Sequence, residues 1–221
     1  METQNTERVS IVFMRAQTET KQDEDVKKRI MDEARSLFFR YGFGKVTMDE
    51  AAEALGMSKK TLYRYFPSKE ELLEAVTCGH MSACDVALKD ICHRQDISPV
   101  ERLKLTMRYI TEVFSQMSEA LVHDLRRNAP DIWKRVEEHR QKNIASYFGA
   151  LIKEGRQKNQ FRKDVDERLF ILMYSTLVTH ILNPEVLSGL PQKPSLVYDT
   201  LCKVLFEGLL TDKARAEYHA R

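Results

Sequence analysis

Lys59, Lys60, Thr61, Arg64 and Tyr65 set cationic, hydroxyl and aromatic groups along one short stretch at helical spacing. Such a set supports recognition rather than bond-making. Ammonium and guanidinium groups attract phosphate oxygens, and amine, hydroxyl and aromatic groups suit the donor and acceptor pattern of a major groove. Lys69, in the first turn of a following helix, adds a second device: a lysine beside unpaired backbone N–H groups is a phosphate clamp. Thr47 carries a hydroxyl that can cap a helix or touch a phosphate.

Two short helices must hold these groups. Ala51, Ala52 and Leu55 fall at helical intervals, Gly56 interrupts, Ser58 can cap a second helix, and Leu62 and Phe66 recur four apart. The small residues Ala51, Ala52 and Ala54 permit close approach, and Gly56 supplies the backbone freedom of a tight turn. The reading is a helix-turn-helix. An earlier helix, Val26 to Tyr41, presents Ile30, Ala34, Leu37, Phe38 and Tyr41 as one stripe and ends at Gly42. Ser68 with Glu71 forms a capping box that opens a fourth helix running to about Ile91.

Further helices are expected at Pro99–Gln116, Ser118–Asn128, Pro130–Gly155, Asp166–Leu182 and Ser195–Leu210, nine in all, with no strand. The fold class is therefore all-α. The expected division is a flexible tail at 1–24, a DNA-binding head at 25–70, a helical body at 71–212 and a C-terminal tail at 213–221. Leu169, Leu172, Met173, Leu177 and Ile181 on one late helix, and Leu201, Val204, Leu205 and Leu209 on the last, form broad apolar faces. Two such helices from each of two subunits would make a four-helix dimer interface. Met107, Phe114, Met117, Trp133, Tyr147, Phe148, Met173 and Tyr174 are candidates to line an apolar cavity in the body. His123, Arg126, His180 and Asn183 are weaker polar candidates, and core packing is the plainer role for most of these residues.

Length and charge set bounds. The chain has 221 residues, 35 Lys and Arg against 33 Asp and Glu, and a formal net charge of +2. Bulk charge gives no polyanion signal, so nucleic-acid contact must come from local placement. Cys78, Cys84, Cys92 and Cys202 form no paired framework, and no secretory signal is evident, so free thiols in a reducing cytoplasm are expected. The apolar run at 169–182 is too short to span a bilayer comfortably.

The stretch T-M-D-E-A-A-E-A-L-G-M-S-K-K-T-L-Y-R-Y-F-P-S-K-E-E-L, with R-Y-G-F before it, resembles the tetracycline-repressor (TetR) family of bacterial regulators, densely over about Lys28 to Val76. A weaker likeness continues through E-G-R-Q-K-N-Q-F-R-K-D-V-D, residues 154–166. The resemblance implies a three-helix head, a ligand-binding body, homodimers joined by the last two long helices, double-stranded operator DNA as partner and a small-molecule effector that releases it. By position it also implies base-edge contact by Lys59, Lys60, Thr61 and Tyr65. Phosphate contact falls to Thr47, Ser58, Tyr63 and Lys69, with Arg64 beside them, and Tyr63 is placed for either job. Lys60 departs from the glycine common among relatives, which leaves base preference open.

Two rivals remain. Cys78, His80 and Cys84 could serve a metal- or redox-sensing regulator, since His80 and Cys84 share a helical face, but no compact C-x-x-C pair accompanies them. The chain could instead be a helical interaction protein that no longer reads DNA, against which the grouping of Lys59, Lys60 and Arg64 stands. No nucleophile elbow, P-loop or dinucleotide fingerprint points to an enzyme, and no metal, cofactor or membrane partner is expected.

Overall fold

Hydroxyl groups set where five of the helices begin. Thr47, Ser58, Ser68, Ser98 and Ser118 each accept a hydrogen bond from the backbone N–H three residues on, a device that stabilises a helix start by about 1 kcal/mol. The computed structural model describes residues 2–181, 184–187 and 189–219, with side chains from Lys21 onward except at 119, 184, 185 and 217. The helices are α1 (Glu2–Tyr41), α2 (Met48–Ala54), α3 (Lys59–Tyr65), α4 (Lys69–His93), α5 (Pro99–Gln116), α6 (Glu119–Asn128) and α7 (Pro130–Gln157), followed by α8 (Glu167–Ile181), α9 (Pro184–Leu187), α10 (Pro194–Leu209) and α11 (Asp212–His219).

The all-α expectation holds, and the nine anticipated helices keep their order. Three differences follow from local chemistry. Residues 2–24, expected as a flexible tail, continue α1, because neither glycine nor proline interrupts Glu2–Tyr41. The expected C-terminal tail is mostly α11, which buries Ala214 against the body. The short α9 forms between the two late helices. The only extended pairing among the described residues is one antiparallel bridge, Phe161 with Leu210. It ties the 158–166 link to the end of α10 through Arg162 N–H to Leu209 O (2.9 Å) and Thr211 N–H to Gln160 O (3.0 Å). Gly155 makes this link possible, since a Cβ there would lie 2.3 Å from the Phe161 ring.

Two apolar cores result. In the first, Ile30, Ala34 and Phe38 of α1 pack with Ala51, Ala52, Leu55, Leu62 and Phe66 and with Leu72, Leu73 and Val76 of α4. Leu121 and Leu125 of α6 are buried in the same core, so the head does not close without a helix of the body. The second core joins α5, α7, α8 and α10 around Phe148, Phe170, Tyr174 and Phe206, whose rings meet at 4.9 to 5.5 Å. Among the described residues no helix is long and apolar enough to cross a membrane.

The late helices keep an uncovered face. Leu169, Leu172 and Met173 on α8 are exposed, as are Leu196 and Val204 on α10, the last at 71%. Leu196, Thr200, Val204 and Gly208 recur every four residues as an exposed stripe. Two of the anticipated interface residues do not belong to it: Leu201 and Leu209 are buried in their own subunit's core. Leu177, Ile181 and Leu205 are half-buried against that core.

Candidate nucleic-acid interface and the cavity behind it

The turn between α2 and α3 is built as its residue types require. Gly56 has φ +63°, a left-handed conformation open to glycine at little cost, and its N–H returns to Glu53 O at 2.9 Å. Ser58 then caps α3, its Oγ accepting the Thr61 N–H at 3.1 Å and lying 2.8 Å from Thr61 Oγ1. Leu62 is fully buried and fixes the rotation of α3, leaving Lys59, Lys60, Tyr63 and Arg64 exposed. Arg29 of α1 braces the pair from behind, donating to Leu55 O at the end of α2 (2.5 Å).

The exposed groups fall into distinct environments. Lys59 is ion-paired with Asp49 of α2, both more than half exposed. Lys60 and Tyr63 have no partner among the described residues. Tyr65 is half-buried: its hydroxyl donates to Asp23 of α1 at 2.6 Å and accepts from Arg64 Nη2 at 2.8 Å, with the Arg64 guanidinium 4.7 Å over the ring. Anticipated among the base readers, Tyr65 therefore sits turned toward α1 in the free protein, and Arg64 is held beside it.

Thr47, Tyr63 and Lys69, anticipated as phosphate contacts, line one shallow surface concavity with Pro67 and Ser68. Thr47 also completes a capping box: its backbone N–H and hydroxyl donate to Glu50 Oε2 at 2.7 and 2.8 Å, and its Oγ1 accepts the Glu50 N–H at 3.2 Å. The backbone hydrogen bond from Thr47 holds the Glu50 carboxyl below its ordinary pKa. Lys69 Nζ lies 4.2 Å from the Phe43 ring centroid, and partial burial lowers its pKa. An ammonium partly desolvated over an aromatic face has lost water that an anion can replace.

Behind the head, a cavity of about 220 Å³ opens between α4, α5, α7 and α8. Of the anticipated pocket residues, Phe114, Met117, Trp133, Tyr147, Phe148 and Tyr174 lie in its wall. Met107 does not; it is buried in the core and accepts a hydrogen bond from the Tyr198 hydroxyl at 3.7 Å. Met173 points outward on the uncovered α8 face, 44% exposed. His123 and His180 are exposed, Arg126 is not part of the wall, and Asn183 lies outside the described residues.

Further polar groups of the wall come from positions on α4 and α7 that the sequence pattern did not single out. Asp85 on α4 is held by His139 Nε2 (3.1 Å) and Asn143 Nδ2 (2.5 Å) on α7, and Arg140 lies beside them. A helical spacing of Trp133, Val136, Arg140, Asn143 and Tyr147 is the signal that could have found them. His80 and Cys84 also line the cavity, 3.7 Å apart. Burial lowers the His80 pKa and raises that of the Cys84 thiol. Among the described residues no group of three or more His, Cys, Asp and Glu side chains could hold a metal, and a thiol pushed toward its neutral form is a poor redox sensor.

The cavity and the head share a wall. Met117, Ser118 and Val122, at the α5–α6 junction, line the cavity. From the same junction Ser118 N–H donates to Phe39 O of α1 at 3.0 Å, and Leu121 and Leu125 enter the head core.

Comparison with known proteins agrees with this arrangement. Residues 30–76 match the family described as bacterial regulatory proteins, tetR family. The uncharacterized HTH-type transcriptional regulator YvaF of Bacillus subtilis (strain 168) is 27% identical over 186 residues, which cover 84% of this chain and 96% of that protein. The HTH-type transcriptional repressor KstR of Rhodococcus jostii (strain RHA1) is 33% identical over 90 residues, 41% of each chain. The crystal structure of a transcriptional regulator from Cytophaga hutchinsonii ATCC 33406 superposes with a TM-score of 0.66 at 23% identity, covering 82% of this chain and 97% of that one, and so shares the fold.

Proposed function

From a chain that belongs to the TetR family of bacterial transcriptional regulators, and is accordingly a regulator rather than an enzyme, we infer a repressor that binds a palindromic operator as a homodimer and is released by a small hydrophobic or amphipathic effector. The observation that carries this reading is the shared wall: the junction residues Met117, Ser118 and Val122 touch the cavity, and α6 completes the head core. A ligand favouring one position of that junction must bias the placement of α1 to α3. The two states then differ in duplex affinity by the ligand's differential binding, commonly about 1 to 3 kcal/mol.

Lys59, Lys60 and Thr61 serve as readers, with Tyr65 once its hydroxyl leaves Asp23. Thr47, Ser58, Tyr63, Arg64 and Lys69 serve as phosphate contacts. Dimerisation through the uncovered faces of α8 and α10 sets two α3 helices into successive major grooves, about 34 to 36 Å apart. The protein acts where the DNA is, in the cytoplasm, consistent with four free thiols.

Selection of bound fragments from the source genome tests the whole reading. It should return duplexes sharing two inverted half-sites one helical turn or a multiple apart, which apolar compounds then release. Absence of any enriched fragment, or release only by small, highly charged compounds, would overturn it.

A further inference from the structure

Resting on the reading of the cavity as the effector site, we propose that its ligand is a compact amphipathic carboxylate whose head group pairs with Arg140. Arg140 belongs to the cavity-facing stripe of α7, with Trp133 and Val136 before it and Tyr147 after it. Its side chain is only 21% exposed. The guanidinium is poorly satisfied: Nη2 reaches Glu137 Oε1 at 3.4 Å and Thr179 Oγ1 at 3.3 Å, and the buried Nε has no hydrogen-bond partner. Burial lowers its pKa, the mark of a charge paying for lost water.

The other polar group on the wall has close partners: Asp85 accepts from both His139 and Asn143. Arg140, ion-paired with Glu137 only at 3.4 Å and with its Nε unpartnered, is left with the unmet donors in the cavity. An arginine presents a planar fork of donors that matches a carboxylate in two parallel hydrogen bonds. Arg140 is the one arginine of the described wall, and no lysine joins it. A single fixed cation suits a monoanion rather than a doubly charged phosphate. The remaining wall is aromatic and aliphatic, and 220 Å³ modestly exceeds the ~150 Å³ that admits benzene. One ring with a short chain, or a medium acyl chain, fills that space.

Trp133 is the only tryptophan of the chain and lines the cavity, so its fluorescence reports occupancy directly. The full-length protein is titrated with 4-phenylbutyrate and octanoate, with the matched alcohols 4-phenylbutanol and octanol, and with octylamine. The carboxylates are expected to bind about tenfold or more tighter than the alcohols. R140Q should abolish that preference while alcohol binding persists, and R140K should keep part of it. If R140Q does not fold, the wild-type series and R140K decide.

Equal binding of acid and alcohol, or an unchanged preference in R140Q, overturns the carboxylate assignment but leaves the effector cavity standing. Preference for octylamine overturns it in favour of Asp85. If no probe perturbs Trp133 in protein that still binds its duplex, the assignment fails and the effector reading fails with it, while DNA binding stands.

Discussion

The carboxylate of Asp124, on α6, accepts the backbone N–H of Gly44 at 2.7 Å, and the same Oδ2 would lie 2.8 Å from any Cβ at Gly42. A side chain of the body thus holds the loop that joins α1 to α2. Gly42 has φ +87°, a conformation that disfavours any side chain, and a Cβ there would also lie 3.0 Å from Ala120 Cβ.

D124A should remove this tie at a cost of about 1 kcal/mol in stability, since the bond is charge-assisted but solvent-exposed. Its larger effect should be on coupling: effector should release DNA less completely, with duplex affinity of the free protein little changed. G42A, strained and clashing, should cost about 1 to 3 kcal/mol. Thermal unfolding and duplex titration with and without effector measure both. Full effector release in D124A would remove Asp124 from the coupling route.

Lys59 and Lys69 should fail differently. Loss of a phosphate clamp in K69A should weaken all duplexes alike and lower the slope of log affinity against log salt by about 0.9. Loss of a base reader in K59A should relax preference at one operator position by about 1 to 3 kcal/mol. D49N, which frees Lys59 and removes a negative charge from the DNA-facing side, should raise affinity for operator and random duplex. Matching profiles for K59A and K69A across operator variants would rule out the division of labour.

L172E and V204E place a charge on the uncovered α8 and α10 faces, where neither residue supports its own core. Both should yield folded monomers by sedimentation and lose most operator affinity, because one head meets only half a palindrome. A dimer that persists in both variants would point to another interface.

His80 lies edge-on to Phe39, 5.0 Å between ring centroids, and its pKa is depressed by burial first and by Arg35 second. The sign follows. A folded pKa below the ordinary 6.5 means that the unfolded chain binds the proton first, so this contribution is complete above pH 6.5 and is lost as pH falls through and below it. H80F should therefore lose less stability than wild type between about pH 7 and pH 5, read from denaturant midpoints. An identical pH slope in the two proteins would mean that His80 is not the group responsible.

The head was legible because its signals are local. Thr47, Ser58 and Ser68 announce helix starts within three residues, Gly56 marks the turn, and Leu62 and Phe66 sit on a stripe with one buried face. The cavity was legible only in its aromatics and Met117. Asp85 meets His139 and Asn143 from 54 and 58 residues away, and charged residues on an amphipathic helix look the same whether they face water or a cavity. On α10 the difficulty is two-sided apolarity: Leu201 and Val204 are equally apolar, yet one is buried in its own subunit and the other is 71% exposed. Met173 met the same ambiguity on α8. At the N-terminus, an unbroken run without glycine or proline let α1 continue where mixed polarity had suggested a tail.

The central claim is that α3 reads duplex sequence, and fluorescence anisotropy of wild type and the K59A/K60A double variant on operator and random duplexes at matched salt tests it most directly. Wild type should favour operator by about 10³-fold or more at physiological salt, and the double variant should lose most of that ratio while remaining folded. Equal affinity for both duplexes in wild type, or an unchanged ratio in the variant, would contradict it.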